Sequence, residues 1–550
     1  MKLSGSQIIL KVLKENGIDT LFGYPGGAVI PFFDAIYDEL DYFKVYRPAH
    51  EQNGVHAADG YARSTGKLGV FIATSGPGAT NTVTGIANAY MDSVPVLVIS
   101  GQVATPLIGK DSFQEIDITG STLSITKHNY LVRKVEDLEV VIREAVKVAL
   151  EGRPGPVLVD VPKDVFMHQT EFKGENKVDE NEVVVPQENN LRKAAQLINE
   201  AKRPVIYAGG GVRISKNDDL LLQFAEKTGI PVCNSFMGLG TIPRKNPLSL
   251  GFVGMHGSKE TNMAVTNCDL LIAIGARFSD RVIGSPEKFA PGAKIIHIDI
   301  DLTEVDKNTN NCIPLIGDMK CILNYLLQNS ESMDRSQWLN EIKSEKVDYD
   351  IEGQFIPENI LNTINKMYGQ NTVVVTDVGQ HQMWTGQYWM FNKSNEFVTS
   401  GGLGTMGFGF GAAIGAQVGN PNKKTLFITG DGSFRMSCQE LVTIAKYKLP
   451  IKIVMLNNNT LGMVRQWQRM FSKARYSETD NYDDVNYEKL VDAYGIKGFK
   501  VESLCELNSV LNETYNLNEP IFIECKIDHD CSVYPIVPPG RPIDELLLNG

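Results

Sequence analysis

The chain has 550 residues, 43% of them apolar and 21% charged, the balance of a globular protein and too long for a single core. A formal net charge of −12 and an isoelectric point near 5.3 argue against a general nucleic-acid or anionic-membrane binder, although local donors can still hold an anionic ligand. Eight scattered cysteines without a CxxC pair suit buried thiols in a reducing compartment, so a cytoplasmic location is expected.

In chain order, the opening MKLSGSQIILKVLKENG reads as a capped amphipathic helix rather than a signal peptide, and no apolar run reaches spanning length. A first block, 1–170, carries the β-rich runs LGVFIATSG and VPVLVISG. A charged segment, Gln169 to Asn190, reads as a linker. The second block, 190–325, holds RPVIYAGGG and DLLIAIGAR, and a second polar segment, Asn329 to Glu352, reads as a linker, part of it compatible with a surface helix. The third block, 355–550, begins with NTVVVTDVG. Short apolar runs alternate with helical patterns in each, which predicts an α/β protein of three consecutive α/β domains with mainly parallel central sheets. Glycine turns follow the runs in every block (Ser75-Gly76-Pro77-Gly78, Gly209-Gly210-Gly211, Gly401-Gly402), so each block is expected to contribute a ligand edge.

The third block is the most informative. Thr425 to Thr429 and Ile451 to Leu456 read as strands, with a helix over Ser433 to Lys448 between them. Such a βαβ unit has parallel strands. It sets Asp431 of Gly430-Asp431-Gly432 and Asn458 of Asn457-Asn458-Asn459 at strand carboxyl ends, where open α/β sheets bind ligands. One carboxylate and one amide oxygen suit Mg²⁺, which completes its shell with water and phosphate oxygens. The glycines admit a close phosphate, and the following helix start favours an anion. A metal-diphosphate site is therefore expected.

With these residues placed, the chain resembles the thiamine-diphosphate-dependent enzymes, whose GDG and asparagine hold the cofactor through Mg²⁺. YRPAHEQNGVHAADGYARSTGK supplies the other end, with Glu51 matching the glutamate that binds the aminopyrimidine ring. No ordinary side chain is basic enough to deprotonate the thiazolium carbon, so a glutamate that protonates the far ring nitrogen lets the cofactor's own imine act as the base. FGYPGGAVIPFFDAI, TSGPGATN, GKDSFQEIDITG, GMHG, GARFSDR, TDVGQHQMW, SGGLGTMGFGFGAAIGAQ and LGMVRQWQ are similar, more narrowly, to biosynthetic acetolactate synthases.

That resemblance implies roles position by position. Asp431, Asn458 and the carbonyl of Thr460 would bind Mg²⁺. Gly379, Gln380, His381, Gly404, Ser433, Gly462 and Met463 would line the diphosphate and thiazolium, with Met406 bending the cofactor. Tyr24, Pro25, Glu51, Thr74, Pro77 and Asn81 would surround the pyrimidine, and Gly27 and Gln114 the reacting carbon. Trp467 would favour the longer acceptor, with Phe113 and Lys163 at the entrance. FAD, structural because the net reaction has no redox step, would lie against Gly209, Gly210, Gly211, Met255, His256, Arg277 and Arg281, with outlying contacts from Arg153, Asp299 and Asp318. The implied reaction is decarboxylation of pyruvate and ligation of the two-carbon unit to pyruvate or 2-ketobutyrate. A homodimer or tetramer with sites at the dimer interface and a small regulatory subunit are implied as well. The competing readings are an FAD-linked pyruvate oxidase, a catabolic acetolactate synthase without FAD, a simple 2-keto acid decarboxylase and a non-catalytic scaffold. Departures from the pattern include Ala104 for a common proline, Leu461 for a polar residue, Ser279 for an acid and Phe410-Gly411 for a Leu-Pro pair. The polar run from Lys473 to Asp484 resembles the family's closing segment.

Overall fold

The computed structural model describes residues 1–174, 184–347, 351–481 and 485–549. Three six-stranded sheets, every strand pair in them parallel, follow one another along the chain. The apolar runs read from the sequence are their central strands. Gly69–Ala73, Val96–Gln102, Pro204–Ala208, Leu270–Ile274 and Thr372–Thr376 are buried throughout, as parallel strands covered on both faces must be.

In the N-terminal sheet the spatial order is Lys44–Tyr46, Thr20–Gly23, Gly69–Ala73, Val96–Gln102, Val157–Pro162, His128–Leu131. Counted within the sheet, this is 2-1-3-4-6-5. The C-terminal sheet repeats it with Phe397–Val398, Thr372–Thr376, Lys424–Gly430, Lys452–Asn457, Ile521–Lys526 and Lys497–Val501. The central sheet differs. Its order, Ser249–Phe252, Val232–Asn234, Pro204–Ala208, Leu270–Ile274, Lys294–Asp299, Ile313–Ile316, is 3-2-1-4-5-6, the doubly wound dinucleotide-binding arrangement. In each sheet the first strand lies beside a later one at a switch point, and the loops leaving these strands and their immediate neighbours carry many of the residues singled out from the sequence.

The outer domains are joined through helices Glu51–Thr65 and Phe408–Gly419. Gly60, Gly411 and Gly415 allow this contact, because a Cβ at any of them would overlap backbone atoms of Ala412, Asn53 or Ala57. The Phe410-Gly411 departure thus has a physical reason: only a glycine fits against the Asn53 carbonyl. Buried beside this seam, Arg63 pairs with Asp59 and, at 3.0 Å, with Asp92, and donates to the Thr399 carbonyl at 2.9 Å.

Three local expectations are corrected. The single helix over Ser433 to Lys448 is broken into Asp431–Ser437, a 3₁₀ turn Cys438–Glu440 and Leu441–Lys446. The break turns the buried Glu440 carboxylate toward the N-terminal domain, where it accepts the amides of Ala49 and His50 at 3.0 Å. The segment from Asn329 to Glu352 is not simply a linker. Its helix Ser336–Ser344 buries Trp338, whose Nε1 donates to the Pro204 carbonyl at 3.1 Å. Gln169–Glu171 pairs antiparallel with Lys2–Ser4, and 175–183 of the first linker lie outside the described residues. The N-terminal helix Gly5–Glu15 forms as expected, capped reciprocally by Ser4 and Gln7. Among the described residues no helix is long and apolar enough to cross a membrane.

Candidate active site

Next to the C-terminal switch point, on the strand pair Lys424–Gly430 and Lys452–Asn457, Gly430 pairs with Leu456, so Asp431 and Asn458 leave neighbouring strands side by side. Asp431, Asn458 and Thr460 are all buried. Asp431 Oδ2 accepts from Asn481 Nδ2 at 2.7 Å, and Asn458 Nδ2 donates to Gln380 Oε1 at 3.1 Å. Burial raises the Asp431 carboxyl above its ordinary range, the state of an acid that a cation would stabilise in its charged form. Asn459 turns the chain with φ 56°, a conformation asparagine tolerates. Among the described residues no three His, Cys, Asp or Glu side chains converge on one point. The donor set is one carboxylate with amide and carbonyl oxygens, which suits hard Mg²⁺ and not zinc.

Glycines leave the room a diphosphate needs. A Cβ on Gly462 would strike Gln380 Oε1 and come within 2.7 Å of Asn458 Nδ2, and one on Gly432 would come within 2.6 Å of Leu461 Cδ2 and 3.7 Å of Met406 Cε. Gly379 precedes helix Gln380–Tyr388. His381 is buried there, its Nε2 without a hydrogen-bond partner and its pKa lowered by burial to about 3, so the ring is neutral. Ser433 Oγ donates to the Val378 carbonyl at 2.7 Å.

Two buried carboxylates shape the glycine loop that presents Met406. Asp92 of the N-terminal domain accepts Gly402 N at 2.8 Å and Gly401 N at 3.0 Å. From the other side Asp377 accepts Gly407 N at 2.8 Å and Gly409 N at 3.3 Å. Neither acid, nor Asn481, was singled out from the sequence. Asp92 lies in an ordinary-looking MDSVP turn, and its partners are some 310 residues away. The Lys473 to Asp484 segment is bound to the site as far as it is described: Leu461 N donates to Thr479 O at 2.7 Å and Asn481 N to Asn459 O at 2.8 Å. Leu461 therefore keeps a backbone anchor where its side chain offers no polar contact. Residues 482–484 lie outside the described residues.

The N-terminal switch point gathers the second set. Tyr24, Pro25 and Gly27 follow Thr20–Gly23, while Thr74 and Pro77 follow Gly69–Ala73. Thr74 Oγ1 accepts from Ala28 N at 3.2 Å, and a Cβ on Gly26 would come within 2.6 Å of Thr74. Glu51 is the first residue of its helix, and its Oε2 accepts from Asn81 Nδ2 at 2.9 Å. Gln114 approaches Gly76 and is held at φ 62°. Phe113 is 88% exposed, and Lys163 is exposed at the start of helix Lys163–Met167.

A cavity of about 1630 Å³ joins the C-terminal site to the central domain. Gly379, Gly404, Met406, Met463 and Trp467 line it from one side, and Gly210, Gly211, Met255, His256, Arg277, Arg281, Arg153, Asp299 and Asp318 from the other. Tyr24, Glu51, Thr74 and Asn81 do not line it. Gly209 lies behind the lining, packed so closely on Gly275 and Ala276 that no side chain fits. The central switch point, between Pro204–Ala208 and Leu270–Ile274, opens here, which is where this strand order binds a dinucleotide. Arg281 stands over the Trp467 ring at 5.9 Å, linking the two halves. The outlying residues carry structural duties too. Arg153 pairs with Asp301 at 3.0 Å and Glu304 at 2.6 Å. Asp318 caps helix Met319–Asn329 through Cys321 N at 2.9 Å. Burial raises the Asp299 carboxyl despite His297 Nε2 at 3.9 Å.

Family models for thiamine pyrophosphate enzymes match all three domains: the N-terminal TPP binding domain at 3–121, the central domain at 191–326 and the C-terminal TPP binding domain at 377–525. The chain belongs to the thiamine pyrophosphate enzyme family. Within this family it is 45% identical to a probable acetolactate synthase large subunit of Methanocaldococcus jannaschii, over 99% of this chain and 95% of that protein. It is 43% identical to the isozyme 2 large subunit of Escherichia coli K12, over 99% of both chains, and 43% identical to the large subunit of Lactococcus lactis, over 99% of this chain and 96% of that one. The thiamine-binding ends of the family are thus the two sheets of shared strand order.

Proposed function

We propose that the chain is the catalytic subunit of an acetolactate synthase. It would decarboxylate pyruvate and ligate the hydroxyethyl unit to a second 2-keto acid, giving 2-acetolactate from pyruvate or 2-aceto-2-hydroxybutyrate from 2-ketobutyrate. The observation that carries this reading is the carboxyl edge of the C-terminal sheet, where Asp431, Asn458 and Thr460 leave two neighbouring strands beside glycines that have no room for a Cβ. Met406, whose Cε lies 3.7 Å from where a Cβ on Gly432 would stand, lines the large cavity together with Trp467. Bound thiamine diphosphate supplies the carbon nucleophile and electron sink for decarboxylation.

The chain's own residues do the rest. Asp431 and Asn458, with the Thr460 carbonyl, would hold Mg²⁺ at the diphosphate end, while His381, neutral through burial, adds no competing charge. Glu51 keeps Oε2 on Asn81 and has Oε1 free to carry a proton to the pyrimidine ring. Met406 is held by its loop between Asp92 and Asp377, which suits it to bend the cofactor. Trp467 offers a flat apolar wall for the acceptor's alkyl chain. FAD would occupy the central side of the cavity. Its support is the 3-2-1-4-5-6 strand order, the Gly209–Gly211 turn and the arginines at 277 and 281.

We infer a homodimer in which Glu51 of one chain meets the partner's Asp431, the two residues lying in the separately matched N-terminal and C-terminal TPP binding domains, with a small regulatory subunit as a further partner. The relatives' designation as large subunits fits that assembly. The test is to strip the protein of cofactors and supply pyruvate, thiamine diphosphate and Mg²⁺ with and without FAD. Acetolactate formed only with FAD is the expected result. Acetolactate without FAD would remove the flavin from the reading, and acetate formed with flavin reduction would make the protein an oxidase.

A further inference from the structure

Among the described residues, one cation lining the central cavity makes no side-chain hydrogen bond or ion pair. Arg213 sits in the turn of helix Gly210–Ile214 that follows Gly209, on the loop edge of the central switch point, and it lines the cavity. It is only 9% exposed. Its guanidinium makes no hydrogen bond or ion pair with any described residue, whereas its neighbours are engaged. Arg63 is held by Asp59, Asp92 and the Thr399 carbonyl. Asp92 also takes two loop amides and lies 3.9 Å from Arg277. Asp218 is engaged through one oxygen only: Oδ2 accepts from Ser394 at 2.6 Å, while Oδ1 makes no hydrogen bond, to Arg213 or to any other described residue. Burial, with Arg63 nearby, lowers the Arg213 pKa to about 10, the opposing pull of Asp92, Asp59 and Asp218 notwithstanding. It therefore stays charged at neutral pH. A buried guanidinium with five donors and no acceptor is costly unless something in the cavity supplies the acceptor.

We infer that Arg213 is an anion-binding residue of the central cavity and that the anion is the diphosphate bridge of a dinucleotide. The geometry favours this ligand because Gly210 and Gly211, on the same turn, line the same wall without side chains, leaving room for a phosphate to approach both the backbone and the guanidinium. The inference rests on the FAD reading above and adds a residue to it.

The experiment compares wild type, Arg213→Met and Arg213→Lys, all flavin-stripped full-length protein, by equilibrium dialysis with FAD and with riboflavin, which lacks the phosphates. Thermal unfolding is recorded with and without FAD. FAD affinity should fall about ten- to a hundredfold in Arg213→Met, the worth of a charge-assisted hydrogen bond or two. Arg213→Lys should recover part of that loss, and riboflavin binding should be unchanged. Without flavin, Arg213→Met should unfold at the wild-type temperature or above, since it removes a desolvated charge, but its FAD-induced rise should shrink. Equal losses for FAD and riboflavin would overturn the inference, assigning Arg213 to the ring end or to packing. Unchanged FAD affinity, or a lower unfolding temperature without flavin, would overturn it too. If wild type binds FAD no better than riboflavin, the dinucleotide reading itself falls and takes the inference with it.

Discussion

The N-terminal and C-terminal sheets share one strand order, 2-1-3-4-6-5, and each gathers its site residues at the carboxyl ends of its strands, yet the two ends are chemically unlike. The C-terminal end presents Asp431, Asn458, Gln380 and Ser433, polar groups with close partners. The N-terminal end presents Tyr24, Pro25, Thr74 and Pro77 around a single acid, Glu51. Topology fixes where a ligand lies, and the loop residues fix which half of it is bound. A metal-diphosphate needs hard oxygen donors and backbone room, whereas an aromatic heterocycle needs apolar walls and one proton-handling group.

The sharpest way to break this contrast is Glu51→Gln. The amide keeps the size and the Asn81 contact but cannot hand over a proton. Turnover should fall by about 10²- to 10⁴-fold, while Mg²⁺-dependent binding of thiamine diphosphate, followed by tryptophan fluorescence, should stay within a few-fold of wild type. A variant that loses binding and turnover together would mean that the two ends are not separate in function.

The parts of this arrangement that are local in sequence were legible in it. Buried parallel strands read as apolar runs, and a glycine turn after each marked the sheet edge, so Asp431 and Asn458 could be placed at strand ends, whereas Thr74 was legible only through the family resemblance. The break at Cys438–Glu440 was not legible, because its cause is Glu440 bonding to Ala49 and His50, 391 and 390 residues away. The helix pattern around it is satisfied either way: Leu441 and Ile444 are buried, while Met436 is 58% exposed. Asp92 escaped notice for the same reason, being a plain acid near a turn whose loop partners are set by the packing of domains, whereas the partners of Asp377, Gly407 and Gly409, lie in its own domain but 30 and 32 residues along the chain. The strand order that separates the central sheet from the outer two is likewise invisible to periodicity.

Asp92 is where the two ends meet, and it sharpens the comparison. Asp92→Asn removes one charge from a fully buried set, leaving Arg63 with Asp59 alone and turning one carboxylate oxygen into a donor facing a loop amide. Breaking a buried pair in this way costs about 3–5 kcal/mol. The expected outcome is a drop of several degrees in unfolding temperature together with weaker thiamine diphosphate binding. Loss of stability alone would restrict Asp92 to holding the domains together.

Asp377 offers a smaller and purely C-terminal effect. Burial raises its pKa to about 6, against an ordinary 3.8, although Val378, Gly407 and Gly409 donate to it. A carboxyl raised in the folded state binds its proton more tightly there than in the unfolded chain, so its ionisation opposes folding. The cost is absent below pH 3.8, grows as pH rises toward about 6 and is constant above, amounting to about 3 kcal/mol for a shift of about two pH units. Asp377→Asn cannot ionise. Its stability relative to wild type should therefore rise between pH 4 and 6, on top of a constant loss because the amide nitrogen now faces one backbone donor. Paired melts of the two proteins across that range, each loaded with the same cofactors, measure the difference directly. A difference that does not change with pH would mean that loop amides and domain packing already stabilise the charged form fully. Asp377 would then be as well compensated as Asp92, and the C-terminal loop would carry no electrostatic load of its own.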